Sequence, residues 1–168
     1  MQLQNDAAVV TALALNPRAG FLNRKHTLEL GAKLLDRLGC TLRGPLNYSG
    51  PLVALLHGIA SADLLSGSAG HARLTYMRYQ FVNVTDDLRS RFDTVMRRAD
   101  DSPLHLPSTV VPQLRTDGWA TILKLYAWTL TQFRVVLLVD LDVLLVESPL
   151  RALRAALDAS VVFHATVE

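Results

Sequence analysis

The run Val135 to Val146, VVLLVDLDVLLV, is apolar except for two carboxylates, Asp140 and Asp142, set into its middle with Leu141 between them. Val135 to Val139 are five consecutive strand formers, and Val143 to Val146 extends the apolar pattern, so the expectation is a core strand interrupted by charge. Side chains two apart in a strand share a face. Two carboxylates that close in an apolar setting repel each other and are costly to desolvate, so they call for a compensating cation. In α/β sheets ligands bind at the carboxyl ends of strands, and a magnesium or manganese ion with oxygen ligands, its shell completed by substrate phosphates, suits such a pair. The plainer alternative is that the Asp-Leu-Asp sequence is a strand-end turn.

The chain has 168 residues, half of them hydrophobic, enough for one core and one domain. Its 17 basic and 15 acidic side chains nearly balance, which argues against a basic nucleic-acid binder, and its apolar content argues against a disordered tail. No apolar run approaches the roughly 18 residues of a membrane span, and MQLQNDAAVV lacks the basic-then-hydrophobic pattern of a secretion signal. The lone Cys40 has no internal partner for a disulfide and is expected to be a small buried hydrophobe. His26, His57, His71, His105 and His164 are too scattered for metal-ligand spacing and read as surface or packed residues. No Walker loop or GxGxxG turn is present.

Strand and helix patterns alternate along the chain. Ala7 to Leu15 is a short apolar run closed by Asn16 and Pro17, expected to be a buried strand. Phe21 to Leu38 has leucines at helical spacing, with Gly39 placed as a C-terminal cap. Leu52 to His57 predicts a second buried strand, and Gln80 to Val84 a third. Thr85 then caps an expected helix ending near Arg97 and Arg98, and the prolines between Asp100 and Gly118 mark a long loop. Trp119 to Phe133 is apolar almost all round and predicts an internal helix. Ser148 and Pro149 read as the N-cap and first turn of a helix reaching Asp158, followed by a strand over Val161 to Val167. The fold class is therefore α/β, a mostly parallel sheet with helices on both faces.

Lys124 is a second anomaly, an ammonium in that largely apolar helix. From Lys124 to the helix end is about 14 Å of rise, and the return along the strand to Asp140 is about 18 to 20 Å, so lysine and carboxylates should meet at one end of the sheet. An ammonium beside a metal ion implies a polyanion such as a diphosphate. Alternatively, the lysine snorkels at an edge.

The stretch KLYAWTLTQFRVVLLVDLDVLL, Lys124 to Leu145, resembles the signature of the glycogenin-like glycosyltransferases, family eight, in which a KL..W.LTQ helix precedes a strand ending in DxD. The resemblance implies a Rossmann-like nucleotide-diphospho-sugar transferase (GT-A) fold and transfer of a hexosyl group from a UDP-sugar to an acceptor hydroxyl with retention of configuration, dependent on Mn2+ or Mg2+. It assigns Asp140 and Asp142 to the metal, and the nucleotide sugar to these two with Leu141, Lys124 and Arg115, which stands at the family's spacing before the lysine. It also likens Val10 to Asn16 to a uridine-binding edge, with Leu13 and Asn16 as the contacts, although Leu15 stands where the family has threonine. The acceptor, whether glycan, protein or lipid, is unspecified, and cytoplasmic and Golgi relatives both exist.

The family pattern continues with an acceptor-side strand and an H..G..KPW segment that supplies a third metal ligand, and nothing between Asp142 and Glu168 matches it. Residues 1–168 are thus expected to be the donor-binding, N-terminal portion of a glycosyltransferase domain, an incomplete fold. Two alternatives accompany this reading. A haloacid-dehalogenase-like phosphatase also carries DxD at a strand end, but near the start of its domain. A non-catalytic remnant would bind nucleotide sugar without turning it over.

Overall fold

The computed structural model describes residues 6–14, 21–65, 74, 77–84, 123–124 and 126–159. Four strands, β1 (Ala7–Ala14), β2 (Leu52–His57), β3 (Tyr79–Asn83) and β4 (Val135–Leu138), form one sheet in the order β3-β2-β1-β4. Every pair in it is parallel. The helices are α1 (Phe21–Arg43), the short α2 (Ser61–Leu65), a 3-10 turn at Ala127–Thr129 and α3 (Leu150–Asp158). This is the expected α/β architecture, compatible with a Rossmann-like fold.

Apart from Thr11 and the terminal His57, β1 and β2 are apolar because both of their faces are covered. Their ladder runs from Val9 opposite Leu52 to Ala14 opposite His57, and all six residues of β2 are buried. Alternation along β1 divides the core. Ala7 and Val9 pack with Leu38 and Leu42 of α1 and Leu153 of α3, while Ala8 and Val10 pack on the other face with Leu123, Ala127 and Leu130. Helices therefore cover both faces, and the outer strands β3 and β4 are only partly buried.

Several local expectations need correction. α1 does not stop at Gly39 but continues to Arg43. Gly39 is buried in the helix, where an added Cβ would lie 2.9 Å from Met77 Cγ and 3.1 Å from Tyr79, so close packing rather than capping calls for glycine. The chain reverses instead through residues 44–47, with Asn47 at φ 47° and the Tyr48 N–H donating to the Leu42 carbonyl at 2.7 Å. The Arg43 guanidinium then ties the turn to the sheet, donating to the carbonyls of Tyr48 and Gly50 at 2.7 Å each and of Met77 at 3.1 and 3.2 Å. Cys40 is exposed on α1, not buried.

The expected helix over Trp119 to Phe133 is shorter at its described end and one-sided. Leu123, Lys124 and Tyr126 are helical, but the chain tightens into the 3-10 turn at Ala127–Thr129, where the Thr129 hydroxyl donates to the Tyr126 carbonyl at 2.8 Å. Leu123, Ala127 and Leu130 are buried, whereas Thr129, Thr131 and Gln132 are exposed.

β3 starts one residue before the expected Gln80. Ser148 does not cap α3. Pro149 occupies the cap position with φ −66° and ψ −10°, already helical, and the cap has no side-chain hydrogen bond. The expected helix over 85–98, the loop over 100–118, the strand over 161–167, and Leu15 at the end of β1 lie outside the described residues.

Candidate functional site

The strand order creates the site. The chain builds outward from β1 through β2 to β3, then returns to place β4 on the other side of β1, so the order reverses between β1 and β4. In open parallel sheets the crevice beyond the carboxyl ends of such a strand pair is where ligands bind. The β1–β4 ladder ends at Val10 opposite Leu138, followed by one more bond from the Val139 N–H to the Val10 carbonyl at 2.8 Å. β1 continues to Ala14 beyond that point, so β4 stops short and its next residues turn away beside the exposed flank of β1.

Asp140 and Asp142 lie in that turn. The sequence pattern suggested one core strand through Val146, with both carboxylates on one face. The strand instead ends at Leu138, and the Val143 N–H donates to the Asp140 carbonyl at 3.3 Å, closing a turn over residues 140–143. Val143, Leu144 and Val146 are solvent-facing at 48%, 63% and 80% relative exposure, whereas Leu141 and Leu145 fold back onto the core beside α1 and α3. The second apolar run is therefore a connector. Its apolar composition resembles a strand, although only Leu141 and Leu145 cover the core while the chain passes to α3.

The same alternation that sorts the core sorts the site. Val136 packs on the face of Leu123 and Ala127, and Asp140 follows it on that side. Lys124, one turn before the 3-10 segment, donates through Nζ to both oxygens of the Asp140 carboxylate, at 2.7 Å to Oδ1 and 2.8 Å to Oδ2. The meeting of Lys124 with the carboxylate at one end of the sheet is as the rise arithmetic requires. The side chains are 35% and 48% exposed, so the pair is open to solvent and to a ligand.

Asp142 is also exposed, and it borders a different feature. With Leu141 and residues 143–145 it lines a small cleft against Arg37, Leu38 and Thr41 of α1. Leu13 is not brought to the lysine and the carboxylate. It packs towards α1, where a Cβ added at Gly31 would lie 2.5 Å from its Cδ2, among Leu35, Ala54 and Leu56. Asn16 and Arg115 lie outside the described residues.

Asp140 beside Lys124 and Asp142 at the cleft against α1 each present exposed carboxylate oxygens, the donor type that suits magnesium or manganese. Among the described residues no group of three or more His, Cys, Asp or Glu side chains gathers as a metal cage. A divalent ion held here would take two protein ligands at most from this turn and the remainder from water and phosphate oxygens, an ordinary arrangement for magnesium.

Sequence reasoning passed over two polar groups near this end of the sheet. Thr11 Oγ1 on β1 and Ser148 Oγ before α3 are buried with no hydrogen-bond partner among the described residues. A threonine in the alanine- and valine-rich β1 was the available signal for the first. The second was concealed by its resemblance to an N-cap. Comparison of the chain with protein-family models, curated proteins and solved structures finds no match.

Proposed function

We propose that the chain is the donor-binding part of a retaining, metal-dependent glycosyltransferase that takes a UDP-sugar and transfers its hexosyl group to an acceptor hydroxyl. The observation that carries the reading is the juxtaposition of Lys124 with Asp140 on the turn beyond β4, at the strand-order reversal of a parallel sheet. The KL..W.LTQ and DxD pattern supplies the chemical class, and the sheet is compatible with the Rossmann-like core that the pattern implies.

In this reading Asp140 and Asp142 hold Mn2+ or Mg2+ against the donor diphosphate. The bound ion supplies charge neutralisation for the departing diphosphate. Lys124 adds an ammonium to the same anionic group, favouring the state in which negative charge grows on the leaving phosphate. The bond between the anomeric carbon and the diphosphate oxygen breaks with its electron pair leaving on UDP, the acceptor hydroxyl oxygen forms the new bond to that carbon, and its proton passes to the departing diphosphate. Leu13, Asn16, Leu141 and Arg115 remain the proposed nucleoside and sugar contacts, Leu13 through the carboxyl end of β1 rather than through its side chain.

Calorimetric titration of UDP with manganese into the full chain tests this. Wild type is expected to bind UDP in a manganese-dependent manner, and Asp142→Asn to lose that dependence, with affinity falling on the order of a hundredfold, since charge-assisted metal ligation is removed. Unchanged affinity in the variant contradicts the metal assignment. Parallel assays of UDP-sugar hydrolysis and phosphate-ester hydrolysis, each with manganese and with chelator, separate the alternatives. Phosphate-ester turnover would replace the transferase with a phosphatase, and binding without turnover would make the chain a nucleotide-sugar-binding remnant.

A further inference from the structure

The two hydrogen bonds from Lys124 to Asp140 are nearly equal in length, 2.7 and 2.8 Å, so the ammonium straddles the open side of the carboxylate. That is where a divalent ion approaching both oxygens would sit, at about 2.0 to 2.6 Å from each. Ammonium and metal ion cannot share that position, and their like charges repel at such a distance. We infer that Lys124 is a built-in counter-ion that occupies the metal-binding face of Asp140 until a metal-diphosphate ligand displaces it. The inference rests on the proposed donor site and adds to it an order of events.

The physical argument has two sides. A free divalent ion must break the Lys124–Asp140 pair and leave the ammonium without a partner. A divalent ion arriving with a nucleoside diphosphate brings a new anion for the lysine, so the ammonium exchanges the Asp140 carboxylate for a phosphate oxygen. The lysine therefore lowers the affinity for metal alone and couples metal binding to diphosphate binding, and the coupling is reciprocal. Both side chains are partly exposed and the lysine stem is long and flexible, so the exchange needs rotamer changes and no backbone movement. Among the described residues Asp142 has no comparable block. Arg37 borders the same cleft, but no ion pair within 4.0 Å joins the two among the described residues.

The test reads manganese binding directly, by electron paramagnetic resonance of the free ion, with and without saturating UDP. Lys124→Met is expected to bind manganese alone about tenfold more tightly than wild type, combining the loss of an exposed ion pair with the removal of like-charge repulsion. UDP should then raise manganese affinity by a smaller factor in this variant than in wild type. Lys124→Gln serves as a second neutral variant should the methionine disturb folding, and Lys124→Arg should keep the wild-type pattern. Arg78→Met, at an exposed position just before β3 at the opposite end of the sheet, controls for the general loss of one positive charge and should shift manganese affinity less than about twofold.

If the neutral Lys124 variants bind manganese no more tightly than wild type while wild type still binds manganese with UDP, the counter-ion role is wrong and the donor site stands. An equal gain from Arg78→Met overturns the specific contact in the same way. If manganese and UDP bind none of these proteins, the donor-site reading itself fails, and the inference fails with it.

Discussion

The paired strands β1 and β2, with α1 over them, contrast with the short β4 and the turn that leaves it. In the first region β2 is buried throughout and β1 over its first five residues, and the backbone pairs in register over six residues. Beyond β4 the ladder ends after four pairs, the following carboxylates are exposed, and apolar side chains at 143, 144 and 146 face water. Stability and reactivity call for different environments. Thr11 apart, the first region keeps its buried polar groups paired or absent, while the second exposes charge on the turn beyond β4, where the strand order reverses.

Truncation within each region should give the widest separation between them. Leu55→Ala in β2 removes a fully buried side chain from the core beneath Leu123 and Ala127 and should cost about 2 to 5 kcal/mol. Val146→Ala in the connector should change stability by less than about 0.5 kcal/mol, because that side chain is already in water. Urea denaturation of the two variants measures both, and similar costs would erase the distinction.

The next largest effect belongs to Arg43. Its guanidinium donates to three backbone carbonyls, those of Tyr48, Gly50 and Met77, and stacks 5.8 Å from the Tyr48 ring centroid. Arg43→Met preserves most of the aliphatic volume but leaves those carbonyls short of a donor, and should cost about 2 to 3 kcal/mol in the same denaturation experiment. A loss near zero would mean that the turn after α1 holds itself without the clamp.

Thr11 tests the exception inside the core region. Its hydroxyl is buried in β1 without a partner among the described residues, so Thr11→Val, which replaces the hydroxyl with a methyl group of similar shape, should stabilise the chain by about 1 kcal/mol. A destabilised variant would show that the hydroxyl is satisfied in solution.

The same contrast explains what the sequence could disclose. Leu52 to His57 forms β2 with its expected limits because an all-apolar run bounded by Pro51 and Gly58 has few other solutions. The carboxylates were visible as an interruption of such a run, and the helix-then-strand spacing was enough to bring Lys124 to Asp140. The pattern did not disclose where β4 ends. An unbroken apolar run continues through Val143 to Val146, yet those residues connect a strand to a helix, and composition alone cannot distinguish a core strand from a connector in which only Leu141 and Leu145 cover the core. Gly39 and Ser148 misled for a related reason. Glycine after a helical pattern and serine before one are local signals, and here close packing against Met77 and the helical dihedrals of Pro149 overrode them.

The account depends most on the turn after β4 gripping a divalent ion against a diphosphate, and diffraction from crystals soaked in manganese and UDP examines that turn directly. An anomalous peak within about 2.0 to 2.6 Å of carboxylate oxygens from both Asp140 and Asp142, with diphosphate oxygens on its far side and Lys124 moved from Asp140 to a phosphate, is the predicted result. Clear UDP density elsewhere, or no manganese peak while Lys124 still bridges Asp140, would contradict it.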